Sequence, residues 1–254
     1  MTGRRLGPPV ALVLVALAAW EVYCRVGAVS PIVLPAPSRV LDQLWSFRAD
    51  ALRHTIPTVV EAVVGLGLSV AFAAGAASVM DRYEAVRRAV APLLVGSQTI
   101  PVVAVAPLLV IWFGFGLEPK VFIVVLVTFF PMTVALHDGF GSVEADATDL
   151  FESLGAGRRE TFTLLRWPTA LPRFFTGLRI SATYAVIGAV FGEYVGAREG
   201  LGIWMQLSQN AFRTDLVFGA ILLTALVSVG LFGLVSLAER LVIPWYGAAR
   251  RAAA

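Results

Sequence analysis

The chain has 254 residues, of which 58% are apolar and 15% are charged, and its formal net charge is +3. Soluble domains average about 45–50% apolar and about 25% charged residues, so this chain has more apolar surface than one soluble core can bury. The same composition excludes a disordered chain, and the single cysteine, Cys24, excludes a disulfide scaffold.

Long apolar runs with few charges predict six membrane-spanning helices, because about 20 apolar residues are needed to cross the hydrocarbon layer. In chain order, the predicted spans cover residues 6–26, 56–80, 90–114, 120–137, 174–197 and 216–240. Barrel strands are shorter and alternate in polarity, so runs of this kind are helical. We therefore expect an all-α, polytopic membrane protein with one transmembrane domain over residues 1–254. A signal peptide is the alternative for the first span, but nothing after it resembles a secreted domain.

The segment between the first two spans is rich in proline and then becomes amphipathic. This pattern predicts a short external helix after residues 34–38, with Ser38 as its cap. More arginines fall in the segments on the side of the two termini than on the other side. The positive-inside rule therefore places the N- and C-termini in the cytoplasm and the chain in the cytoplasmic (inner) membrane, in contact with lipid.

Two acids and two prolines lie within the predicted spans. Glu61 and Glu193 are unfavourable in lipid and must face protein or water. They lie either at the outer mouth of a pathway, where they bind substrate or close a gate, or between helices as hydrogen-bonded structural acids. Pro101 and Pro107 interrupt the third span, which predicts either a kinked helix along the pathway or a bent packing helix.

The connection over residues 138–173 is far longer than the usual loop between helices. Leu150 and Leu154, followed by Phe162 and Leu165, recur at helical spacing and predict two short helices that are broken at residues 155–157. Such a segment is either a solvated linker or a docking surface for a soluble partner.

The same segment resembles the EAA loop of ABC importer permeases. Asp149 stands at the acidic start of the motif, Gly155 follows at the motif's glycine, and Leu165-Arg-Trp-Pro168 comes nine residues later. Leu150 and Phe151 replace the two alanines of the motif, whereas the acid, the glycine and the proline match in type and spacing. The resemblance covers residues 10–246 and includes Ile100-Pro101, Pro107-Leu108, Trp112-Phe113-Gly114 and Phe130-Pro131.

This resemblance implies the type I ABC importer permease fold and a set of partners. A dimer of ATP-binding subunits is expected on the cytoplasmic side, a substrate-binding protein outside, and a second permease subunit, as a homodimer, in the membrane. The residues that the resemblance assigns to coupling are Asp149, Gly155, Ala156, Gly157, Arg158, Arg159 and Pro168. Gly155 is expected to allow a tight reversal, and Pro168 to end the second short helix. Arg158 and Arg159 either contact carboxylates of the ATP-binding subunit or act as positive-inside anchors.

Several kinds of site are missing from the sequence. No G-x-x-x-x-G-K-[ST] motif occurs and the sole lysine, Lys120, follows a proline, so ATP hydrolysis is expected on a separate subunit. His54 and His137 are predicted on opposite sides of the membrane, and we expect no catalytic residue, metal, cofactor or nucleic acid. A membrane enzyme is therefore disfavoured. A secondary transporter or channel would need intramembrane relays, for which only Glu61 and Glu193 are candidates.

The substrate is indicated only by resemblance. The run from Leu178 to Ala197, followed by Gly200-Leu-Gly202 and Thr214-Asp-Leu216, is similar to the branch serving nitrate, taurine and aliphatic sulfonates. It is most similar to permeases for the pyrimidine precursor of thiamine. Two carboxylates near the outer mouth also suit a neutral or amino-bearing heterocycle better than an oxyanion. We therefore expect a hydroxymethylpyrimidine-type precursor, with nitrate, taurine, sulfonate or riboflavin as alternatives.

Overall fold

The computed structural model describes residues 3–27 and 29–246, without the side chains of residues 3–6 and 9. All regular elements in the described residues are helical, which confirms the all-α class. The elements are α1 (Gly3–Val26), α2 (Pro37–Ser46), α3 (Arg48–Arg82), α4 (Glu84–Ser97), α5 (Val102–Phe113), α6 (Glu118–Phe140), α7 (Ala145–Ser153), α8 (Arg158–Glu160), a π-helical segment (Thr161–Arg166), α9 (Trp167–Glu193), α10 (Leu201–Asn210) and α11 (Thr214–Val242).

Four helices in the described residues are long and apolar enough to cross a membrane: α3, α6, the continuous helix Arg158–Glu193, and α11. The bent pair α4–α5 provides a fifth crossing if its two halves form one span. The count of six spans stays a prediction, because the described residues provide four such helices, or five with the bent pair. The orientation also stays a prediction, since residues 1–2 and 247–254 lie outside the described part of the chain.

The core of the bundle lies where α3, α6 and α9 meet. Small side chains dominate it, with Ala62 of α3 and Ala182, Ala185 and Ala189 of α9 all fully buried. A Cβ added to Gly65 would lie 2.5 Å from Val124 of α6, so the two backbones approach closely at this point. Small residues allow such contacts between membrane helices, where close packing replaces much of the hydrophobic driving force.

The prediction that the third span is a single helix is wrong. Instead, α4 and α5 meet at an angle of 99° across the break at residues 98–101. Pro101 is the residue before α5. The helix α4 does not continue through it, because proline has no backbone N–H and disfavours the helical conformation of the preceding residue. The hydroxyls of Ser97 and Thr99 donate to the carbonyls of Leu94 and Gly96 in the last turn of α4, each at 2.7 Å.

The second short helix of the 138–173 segment does not end at Pro168, as the resemblance implied. It continues from Arg158 to Glu193, through the π-helical segment and through both Pro168 and Pro172. Pro168 lies in the first turn of α9, directly after the wider π-helical turns. A proline ring normally collides with the carbonyl four residues earlier, and a π-helical turn relieves that collision by changing the local backbone register. Residues 158–173 therefore continue into the span as one unbroken helix.

The short amphipathic helix predicted after the first span is confirmed as α2, but its cap is different. Ala36 occupies the cap position, and Pro37 begins the helix. The Ser38 hydroxyl instead donates to Glu21 of α1 at 2.7 Å. Arg39 of α2 lies 3.4 Å from Asp215 of α11, so α2 connects α1 to the start of α11.

Candidate functional site

The carboxylate of Glu193, at the end of α9, is fully buried and holds three elements together. Its Oε1 accepts a hydrogen bond from the hydroxyl of Thr58 on α3 at 2.5 Å, and its Oε2 accepts one from the N–H of Gly202 on α10 at 2.6 Å. The N–H of Leu201 in turn donates to the Thr58 hydroxyl at 2.9 Å. Glu193 and Thr58 thus accept hydrogen bonds from the first two backbone N–H groups of α10, which have no partner within the helix.

The turn before α10 is shaped around this carboxylate. Gly200 has a φ of +136°, a conformation that side chains rarely adopt, and an added Cβ would lie 2.2 Å from the carboxyl carbon of Glu193. Its N–H donates to Nδ1 of His54 at 3.0 Å, and the His54 ring stacks on Trp204. The Gly200-Leu-Gly202 sequence is therefore required by the close approach of the acid.

Glu61 lies one turn after Thr58 on α3 and forms an ion pair with Lys120 of α6. The Lys120 Nζ donates to Glu61 Oε1 at 2.6 Å, with the two side chains only 12% and 2% exposed. The other oxygen of Glu61 contacts no hydrogen-bond donor in the described residues. The Glu61 and Glu193 carboxylates also interact electrostatically. We call these four side chains, Thr58, Glu61, Lys120 and Glu193, the acid cluster.

Glu61 and Glu193 are both buried and hydrogen-bonded to other residues of this chain, as expected of structural acids between helices. Their role at a gate or in substrate binding stays a prediction. The sequence analysis missed Lys120 and Thr58 as partners. Lys120 carried a usable signal, because an acid in a membrane span usually pairs and this chain has one lysine, next to the start of a span. Thr58 carried no such signal.

Pro101 and Pro107 lie on the side of α5 that faces away from the bundle. Both are exposed, as are Val103 and Ile111, whereas Ala106 and Leu109 pack against Ile123 of α6. The broken pair α4–α5 thus presents an apolar surface that this chain alone leaves uncovered.

The residues predicted for coupling lie together at the opposite end of the bundle from the acid cluster. We call residues 145–157, which comprise α7 and the turn after it, the coupling segment. No residue of α7 is buried, and Leu150 and Leu154 are 57% and 76% exposed. Asp149 is exposed on the same helix. An isolated helix with uncovered leucines at a polar end of the molecule is typical of a docking element.

Gly155 ends α7 in the manner expected from the sequence. Its φ is +79°, its N–H bonds to the carbonyl of Glu152, and the N–H of Ala156 bonds to the carbonyl of Phe151. This pair of hydrogen bonds is the Schellman arrangement, in which glycine takes the left-handed position. Gly157 precedes the next helix, and its N–H is bound by the Glu160 carboxylate at 2.7 Å. The break predicted at residues 155–157 is therefore confirmed.

Two ion pairs connect this end of the molecule. Arg166, the last residue of the π-helical segment, binds both carboxylate oxygens of Asp81 at the end of α3, each at 2.8 Å. Arg179 of α9 binds Glu239 of α11 at 2.7 Å. Both pairs are half-buried, and in the first pair one guanidinium nitrogen of Arg166 contacts both oxygens of Asp81. These pairs join the start of the helix Arg158–Glu193 to the end of α3, and α9 to α11.

The sequence of this chain is similar to one protein family and to several transport permeases over most of its length. Residues 64–244 match the family described as "Binding-protein-dependent transport system inner membrane component". The chain is 37% identical to the formylaminopyrimidine transport permease protein of Halalkalibacterium halodurans, over 93% of this chain and 95% of that one. It is 34% identical to a riboflavin transport system permease of Chloroflexus aurantiacus, over 94% and 90% of the two chains. It is 30% identical to the taurine transport system permease of Escherichia coli, over 92% and 87%. This chain belongs to the family of inner-membrane permease subunits of binding-protein-dependent ABC importers.

Proposed function

We propose that this permease subunit imports a pyrimidine precursor of the hydroxymethylpyrimidine type. The observation that supports this substrate is the 37% identity, over almost the full chain, to a formylaminopyrimidine permease. Riboflavin is the second candidate, on the basis of 34% identity to a riboflavin permease, and taurine, aliphatic sulfonates and nitrate follow. The two intramembrane acids add nothing to the choice, because Lys120 and Thr58 already bind them. Family membership sets aside the secondary-transporter and channel alternatives.

The test of the substrate is the ligand of the partner binding protein. We expect mass spectrometry of the natively purified binding protein to find an aminopyrimidine. Vesicles containing the full importer should then accumulate that compound in an ATP-dependent manner. Riboflavin, taurine or a sulfonate in the binding protein would contradict the proposed substrate while leaving the importer function intact.

The family implies an ATP-binding partner and a substrate-binding partner, and we assign the coupling segment to the first of them. Leu150 and Leu154 supply an apolar contact, Asp149 a charged one, and the Gly155–Gly157 turn allows close backbone approach. Arg158 and Arg159 border this surface, and Pro168 lies where the helix enters its span. This assignment requires the coupling segment and both termini to be cytoplasmic.

We expect two copies of this chain to form one pathway above two ATP-binding subunits. The uncovered face of α4–α5, with Val103 and Ile111 exposed at 63% and 76%, is the surface that a second copy would cover. Mass measurement of the complex purified in detergent checks this stoichiometry. A complex with a single permease chain that transports substrate would contradict it.

Replacing Glu193 with glutamine is expected to reduce uptake by about tenfold while the complex still assembles. Glutamine keeps the shape, but its amide has a single acceptor oxygen for the two buried donors, Thr58 and Gly202, that the Glu193 carboxylate binds. A buried donor left without its acceptor costs about 1–3 kcal/mol. Uptake per unit of membrane protein measures the effect. The matched variant Thr58→Val removes the hydrogen bond from the Thr58 hydroxyl and leaves the carboxylate. If both variants lose only stability, in equal amounts, the acid has a structural role alone.

A further inference from the structure

A cavity of about 670 Å³ lies between the last turn of α3, α7, and the start of the helix Arg158–Glu193. One wall is formed by Ser78 and Val79, which belong to the apolar helix α3, and another by Ala156 and Phe162. The cavity therefore lies where a membrane span meets the polar end of the molecule. Its volume is within the range of sites that bind small molecules and is much larger than one inorganic anion needs.

The walls of this cavity carry an excess of positive charge. Four arginines line it, together with the acids Asp81 and Glu152, which leaves a net charge of +2. Arg166 is neutralised by its bidentate contact with Asp81. Within the described part of the chain, the other three arginines, Arg82, Arg158 and Arg159, form no ion pair.

These three guanidinium groups, with Glu152 as the remaining acid of the cavity wall, leave an excess of positive charge that suits an anion with several oxygen atoms. Arginine binds phosphate through paired N–H donors, and its planar group is less strongly hydrated than an ammonium ion. The adjacent apolar wall includes Val79, which is 45% exposed on the membrane helix itself. A ligand that satisfies both walls combines a phosphate with an apolar part, and basic pockets beside membrane helices bind such lipid headgroups.

We propose that this cavity binds the headgroup of an anionic phospholipid, with Arg82, Arg158 and Arg159 around the phosphate and the acyl chains along α3. In this proposal Arg158 and Arg159, which the family resemblance assigned to coupling, are ligands of the lipid. It goes beyond the proposed importer function and does not depend on the transported substrate. A lipid in this position touches both the end of α3 and the start of the helix that leaves the coupling segment.

The test compares lipid binding by the purified complex of permease and ATP-binding subunits. Native mass spectrometry is used to titrate dioctanoyl-phosphatidylglycerol, with dioctanoyl-phosphatidylcholine and inorganic phosphate as the other ligands. We expect phosphatidylglycerol to bind tightest, and the double variant Arg158→Gln/Arg159→Gln to bind it about thirtyfold more weakly, since each surface arginine contributes about one kcal/mol to such contacts. Arg82→Gln provides an independent variant on another helix, with a smaller loss expected.

Arg240→Gln is the matched control, because Arg240 is exposed near the end of α11 and does not line the cavity. It should bind phosphatidylglycerol like the unaltered protein. Equal binding by the double variant, or an equal loss in the control, would overturn the proposal. Inorganic phosphate binding as tightly as the lipid would overturn the assignment to a lipid. Loss of the ATP-binding subunit with unchanged lipid binding would assign the arginines to the partner instead.

Discussion

Replacing Lys120 with methionine is expected to destabilise the permease by about 3–5 kcal/mol, because it leaves a buried carboxylate without its cation. Glu61 is 2% exposed, and in the described residues Lys120 is its only ion-pair partner, at 2.6 Å. Methionine keeps the length and the apolar contacts of the lysine stem, so the change tests the charge. We expect a large fall in the apparent melting temperature in detergent and in the amount of protein found in membranes.

Two further variants make this prediction specific. Glu61→Gln combined with Lys120→Met removes both charges and should recover much of the lost stability, since the penalty comes from the unpaired charge. Arg53→Met breaks the exposed pair of Arg53 and Glu199, whose side chains are 65% and 40% exposed, and should cost less than about 1 kcal/mol. If Lys120→Met behaved like Arg53→Met, the acid cluster would not be the buried ion pair described above.

Replacing Gly155 with glutamate is expected to uncouple transport from ATP hydrolysis while the permease still reaches the membrane. The φ of +79° at this position makes any ordinary side chain unfavourable, by about 1–3 kcal/mol. Apart from its chain neighbours, no atom of the described residues lies within 4 Å of an added Cβ, so the side chain would project into the open space at the proposed docking surface. Co-purification should show weaker binding of the ATP-binding subunit. ATPase activity in vesicles should no longer respond to the loaded binding protein.

Two control variants separate the effect of backbone strain at residue 155 from the effect of an added charge at this end of the bundle. Gly155→Asn should retain near-normal coupling, because asparagine tolerates the left-handed conformation better than other residues. Gly141→Glu places the same charge on an exposed glycine at the same end of the bundle, where φ is −74°, and should have little effect. Normal association and normal substrate-stimulated hydrolysis in Gly155→Glu would show that this turn is not the coupling element.

The sequence by itself determined the helical class, the membrane location and the position of the coupling segment. These features depend on local composition and local backbone geometry. A run of apolar residues must be helical in lipid wherever the rest of the chain lies. The end of α7 is also set locally, because the N–H of Gly155 bonds to the carbonyl of Glu152 and the N–H of Ala156 bonds to that of Phe151. The family resemblance followed from the same local spacing.

Only the tertiary structure decided which residues meet. Glu61 and Lys120 are 59 positions apart, and Thr58 and Glu193 are 135 apart, so no local pattern could pair them. The 99° break before Pro101 and the unbroken helix through Pro168 were also beyond local rules, although both sites contain a proline. A proline only weakens a helix locally, and the surroundings decide the outcome. Near Pro101 the hydroxyls of Ser97 and Thr99 complete the end of α4, whereas at Pro168 the π-helical turns and the Asp81–Arg166 pair hold the helix together.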